Sequence, residues 1–118
     1  MDMASNIVIA IVALLHGYFL ILEMFLWTKP LGLQVFRQTL ESAEATKVLA
    51  ANQGLYNGFL AAGLIWGLTL GVHGFEIKVF FLSCVVVAGV YGAATVGRAI
   101  LFVQALPAAI GLTLLLLG

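Results

Sequence analysis

Charge is scarce in this chain. Asp, Glu, Lys and Arg together supply 8% of its 118 residues, against 64% hydrophobic. A soluble domain is about a quarter charged, so that class is excluded and lipid is the expected surrounding for most of the protein. Cysteine is rarer still: Cys84 is the only one. It lies in the apolar run FFLSCVVVAG and reads as a small buried thiol. A disulfide framework and a cysteine-built zinc site within one chain are thereby excluded. There is no excess of either sign, with five acidic and five basic residues, and no basic tract for nucleic acid. The sequence has no HExxH, no G-x-S-x-G and no phosphate-cradling glycine loop before a helix. The two histidines, His16 and His73, fall at different expected depths. No metal, cofactor or catalytic residue is assigned, and the balance leans away from an enzyme.

What the chain does have is length of apolar run. A membrane-crossing helix takes about 20 apolar residues, and the spacing predicts four: about 6–27, 47–71, 77–95 and 99–117. The runs are too long for strands and do not alternate. The expected fold is therefore all-α, a polytopic membrane protein with a four-transmembrane-helix bundle as its single domain. The first run lacks the Lys or Arg of a signal-peptide leader, and Glu23-Met24-Phe25-Leu26-Trp27 is no small-residue cleavage site. It reads as a retained span. Thr28-Lys29-Pro30 ends it, because proline disfavours helical geometry in the residue before it. Residues 28–46 are the longest polar connection, and their mixed pattern suits a short amphipathic helix on the membrane surface. Ser42 is a candidate N-cap for the second span. Pro107 is expected to bend the fourth. Lys29, Arg37, Lys47 and Arg98 border the first and third loops, opposite Lys78 alone. The positive-inside rule then puts both termini of a multi-pass inner-membrane protein outside the cytoplasm.

Polar residues inside such runs are costly and mark the places to look for function. His16 and Glu23 are seven residues apart, two turns of one helix and one face, with Leu20 between them. A carboxylate there finds a partner or gives up its charge. It binds a proton or ligand, or it reaches interfacial water or pairs with Lys29 or Arg98. The second span holds the densest cluster, Ala51-Asn52-Gln53-Gly54-Leu55-Tyr56-Asn57-Gly58. On a helical wheel Asn52, Gln53 and Tyr56 share an arc with Asn57 beside it, while Leu55, Phe59, Ala62 and Trp66 face the other way. Either these groups hydrogen-bond neighbouring helices or they line a pocket, which Tyr91, Arg98 and Gln104 are placed to complete. Glu76 and Lys78 read as interfacial charges flanking the third span, and His73 as a solvated loop residue.

The glycines read as packing. Gly54 and Gly58, then Gly63, Gly67 and Gly71, are spaced by four, and Gly89, Ala93 and Gly97 repeat the spacing. Small residues at this interval let helix backbones approach closely in lipid.

The stretches LEMFLWTKP, KVLAANQGLYNGFLAAGLIWG and VYGAATVGRAILFVQALPA resemble domain of unknown function 1304, a family of small bacterial integral membrane proteins. The resemblance covers nearly the whole chain and implies four membrane helices. It implies no activity. Three functional readings follow from the residues. The first is a protein that binds or transports a small hydrophobic or amphipathic molecule in a polar pocket between spans one and two, working as a homodimer. The second is an accessory subunit docked in a larger membrane complex. The third is an intramembrane enzyme acting on a lipid-like substrate.

Overall fold

Among the described residues, 3–118 of the computed structural model, every regular element is helical. Helix α1 runs Met3–Met24, α2 Pro30–Phe36, α3 Leu40–Thr69, α4 Phe75–Thr95 and α5 Leu106–Leu117. A 3₁₀ turn, Gly71–Gly74, leads directly into α4. Two of these segments, Met3–Met24 and Gly71–Thr95, are long and apolar enough to cross a membrane. The Leu101–Leu117 stretch is apolar but shorter. Helix α3 carries Glu41, Glu44 and Lys47 in its first turns and no charged residue from Val48 to Thr69.

The boundaries have local causes, and several differ from the sequence expectation. Helix α1 stops at Met24. The amides of Phe25 and Leu26 both donate to the Ile21 carbonyl, so the ladder closes before Trp27. Pro30 starts α2, where its missing N–H leaves nothing unsatisfied. Arg37 closes that helix in the left-handed region at φ 53°, with the Gln38 amide reaching back to the Leu33 carbonyl. Helix α3 begins at Leu40 instead of near residue 47. Its cap is Thr39, whose hydroxyl accepts the Ser42 amide at 3.1 Å. Ser42 therefore sits inside the first turn, where its carbonyl accepts from the Thr46 hydroxyl at 3.0 Å.

The fourth run is divided. Residues Leu101–Ala105 form a π-helical turn before α5, and the Leu106 amide donates to the Leu101 carbonyl five residues back. Pro107, in the first turn of α5, supplies the reason. It offers no amide to the carbonyl four residues behind it and its ring crowds that carbonyl, so the ladder widens ahead of it.

The chain forms two compact units. Unit 1 comprises the chain up to Leu14 and Leu60–Gly118. Its core joins Ile9, Val12 and Ala13 of α1, Leu64 of α3, Leu82 and Val85 of α4, and Ala108 and Leu115 of α5. Glycines set its closest approaches. A Cβ on Gly63 would strike the Phe81 ring, and one on Gly89 would lie 2.6 Å from the Ala105 backbone nitrogen. Gly71 and Gly97 differ from the packing expectation, since neither has an atom within 4 Å of a Cβ position. Gly71 is needed for its φ of +59°, which side-chain-bearing residues rarely adopt. Gly97 belongs to the turn before the fourth run. Ala93 is half-buried on α4.

Unit 2, Leu15–Phe59, brings the end of α1 against the first part of α3, with α2 between them in sequence. Here Gly54 and Gly58 make the contact. A Cβ on Gly54 would lie 3.1 Å from Glu23 Cβ and 3.2 Å from the Leu20 carbonyl, and one on Gly58 would lie 2.5 Å from Leu20 Cδ1. The connection is tied down at Trp27. Its indole N–H donates to Thr46 Oγ1 at 3.1 Å and its ring packs on Phe36 at 4.8 Å.

Candidate functional site

The close helix approach at Gly54 decides what Glu23 can reach. With no side chain on Gly54, the Glu23 side chain lies over α3 and its Oε1 accepts the Asn57 side-chain amide at 2.5 Å. Both residues are buried, Glu23 at 5% exposure and Asn57 at 8%. A hydrogen bond to an ionisable oxygen in a dry setting is stronger than one in water. Two turns back along α1, His16 is fully buried, with its ring edge-on to Phe19 at 5.5 Å. Leu20 and Glu23 thus lie on the face turned to α3, and His16 shares that side of α1 by helical period.

Glu23 also lines a cleft of about 410 Å³ in this unit. Met24, Phe25 and Trp27 form one wall, and Lys47, Ala51 and Asn52 of α3 another. That volume lies within the usual range for small-molecule sites, roughly 300–1,000 Å³. The Lys47 ammonium is 3.1 Å from Glu44.

The remaining expected site residues are placed differently. Asn52, Gln53 and Tyr56 are exposed, and of these only Asn52 borders the cleft. The buried stripe of α3 in this unit is Ala43, Ala50, Gly54 and Asn57, turned away from the arc drawn from polarity alone. Leu55, Phe59, Ala62 and Trp66 are exposed. Tyr91 is 70% exposed and borders an apolar groove on α4 with Phe80, Cys84 and Val87. Arg98 and His73 are exposed, and Gln104 is half-buried in the π turn.

A second polar locus, in unit 1, was not expected. Lys78 has no exposed surface, and its Nζ donates to Asn6 Oδ1 at 3.0 Å. Glu76, two residues earlier, is exposed as an interfacial charge should be. Lys78 instead lies over Gly67, where a Cβ would come within 2.8 Å of its Cγ. Ser5, one residue before Asn6, is also fully buried. The available signal was the pairing of Gly67 with a lone lysine inside an apolar run, but linear spacing does not reveal which glycine a lysine crosses.

Residues 10–116 match the family described as protein of unknown function (DUF1304). The chain belongs to the DUF1304 family. A DUF1304 chain is therefore what carries both the Glu23–Asn57 pair and the buried Lys78. The uncharacterized protein YpaA of Lactococcus lactis subsp. lactis (strain IL1403) is 30% identical over 106 residues, which is 88% of this chain and 89% of YpaA. No solved structure matches the chain.

Proposed function

We propose that this DUF1304 chain is a four-span inner-membrane protein that binds a small hydrophobic or amphipathic molecule at the Glu23 cleft. Support for four spans comes from two segments. Residues 48–69 of α3 are free of charge, and the apolar Leu101–Leu117 stretch is preceded by Ala99 and Ile100. A helix slightly shorter than the hydrocarbon layer is accommodated by local thinning or anchoring. Support for lipid as the solvent comes from large apolar side chains left outside: Leu14, Trp66, Val87 and Phe102 are each more than half exposed. In water, patches of that kind mark interfaces or aggregation. With Lys29, Arg37 and Lys47 on the cytoplasmic side, both termini lie outside.

The observation that carries the binding reading is the buried Glu23 carboxyl, held by Asn57 and bordering a cleft with an aromatic wall. Ionisable groups inside spans are rare and costly, and they mark substrate, ion or proton sites by default. Whether a bound molecule is also moved across the membrane would be decided by a second copy completing a path. The apolar groove of Phe80, Cys84 and Tyr91 is the surface favoured by the alternative, an accessory subunit.

The test uses Trp27 as reporter. The chain has two tryptophans, so Trp66→Phe leaves Trp27 alone beside the cleft. In dodecylmaltoside micelles, the neutral amphipath N-phenyl-1-naphthylamine should accept energy from Trp27 saturably. Ala51→Phe, which fills the cleft wall, should abolish the saturable part. A response that rises linearly with probe and ignores Ala51→Phe would mean simple partitioning, with no site.

A further inference from the structure

The chemistry of the cleft selects among amphipaths. It is lined by two ionisable side chains, Glu23 and Lys47. Lys47 is already committed, its ammonium lying 3.1 Å from Glu44 with both groups about half exposed to solvent. Glu23 is the opposite case. It is buried, and the partner on its Oε1 is the neutral amide of Asn57. The amide donates a hydrogen bond to the carboxyl but supplies no formal charge, so the charge that Glu23 carries when ionised is left uncompensated at the cleft wall, and a bound cation is what would offset it. The remaining lining adds π faces and apolar surface, from Trp27, Phe25 and Met24. A ring face attracts a cation through its quadrupole, most strongly for tryptophan and where water is scarce. Carboxylate and aromatic wall therefore favour the same sign.

We infer that the Glu23 cleft takes an amphipathic organic cation, its positive centre at the Glu23 carboxylate and its apolar groups against Trp27 and Phe25. The inference rests on the cleft being a binding site at all. An anion would meet Glu23 with only a paired lysine to offset it. A neutral amphipath would fill the volume without meeting the charge. The cation is either a soluble molecule or the headgroup of an amine-bearing lipid, since both present the same positive centre.

Two isosteric probes separate charge from shape. Tetraphenylphosphonium and tetraphenylborate differ in sign and share their four phenyl groups. Each is titrated against the Trp66→Phe protein in dodecylmaltoside micelles, a neutral detergent without lipid amines, and Trp27 quenching is followed. The phosphonium should saturate at a concentration at least about tenfold below the borate, a difference of about 1.4 kcal/mol. Glu23→Gln should erase most of that preference while leaving the helical circular dichroism intact, and Glu23→Asp, which keeps the charge, should retain it. Prior addition of phosphatidylethanolamine should weaken phosphonium binding if the occupant is a lipid headgroup, and leave it unchanged if the occupant is soluble. Equal saturation by both probes, still lost in Ala51→Phe, would overturn the cation assignment and leave the cleft as a binding site. Loss of saturable quenching for every probe would remove the site and the assignment together.

Discussion

Gly89→Val should destabilise the protein more than any other single glycine substitution in α4. A Cβ at position 89 would lie 2.6 Å from the Ala105 nitrogen and 2.8 Å from its Cα. Those are backbone atoms of the π turn, so no side chain can rotate aside. The helix and the turn must separate, and every contact between them loosens. Overpacking of this kind costs about 1–3 kcal/mol and sometimes more. Gly17→Ala should do the opposite. It sits in α1 with no atom within 4 Å of its Cβ position, so the substitution only removes backbone freedom and should stabilise by about 0.5–1 kcal/mol. Thermal unfolding in detergent, followed by circular dichroism, gives both signs. Equal midpoints for the two variants would mean that α4 and the π turn do not touch at Gly89.

Asn6→Leu should be the costlier half of a double-mutant cycle with Lys78. The variant removes the acceptor at 3.0 Å and leaves a fully buried amine short of a partner. A buried donor left unsatisfied costs about 1–3 kcal/mol, and more if charged. Converting the lysine as well, in Asn6→Leu with Lys78→Met, removes the need for an acceptor and keeps a flexible apolar chain over Gly67. The double variant should therefore be more stable than Asn6→Leu alone, with an interaction energy of about 0.5–3 kcal/mol. Strict additivity would show that Lys78 does not depend on Asn6.

These residues also show what was legible in the sequence. The long apolar runs gave the helical class, and Pro30 and Pro107 marked a break between helices and a disturbed ladder, because those effects are local to a few residues; that Pro30 also starts α2 emerged only from the structure. The His16–Glu23 face was legible because the helical period alone fixes it. Asn57 was separable from Asn52, Gln53 and Tyr56 only in three dimensions. All four are polar, yet the contact with α1 is centred on Gly54, and only Asn57 shares its side of the helix. Lys78 escaped for the same reason, since a lysine near a helix start looks interfacial until a glycine on another helix makes room for it. The early start of α3 depended on Thr39 acting as a cap, a choice between two hydroxyl residues that spacing leaves open.

The account stands on convergence of polar groups within unit 2, above all on the contact between the Glu23 carboxyl and the Asn57 amide. Solid-state NMR of the protein in liposomes, with ¹³C at the Glu23 carboxyl and ¹⁵N at the Asn57 side chain, reads that contact directly. Strong carbon–nitrogen polarisation transfer between the two sites, lost in Asn57→Leu, is the predicted result. No transfer, with the Glu23 carboxyl instead in fast contact with bulk water, would contradict it.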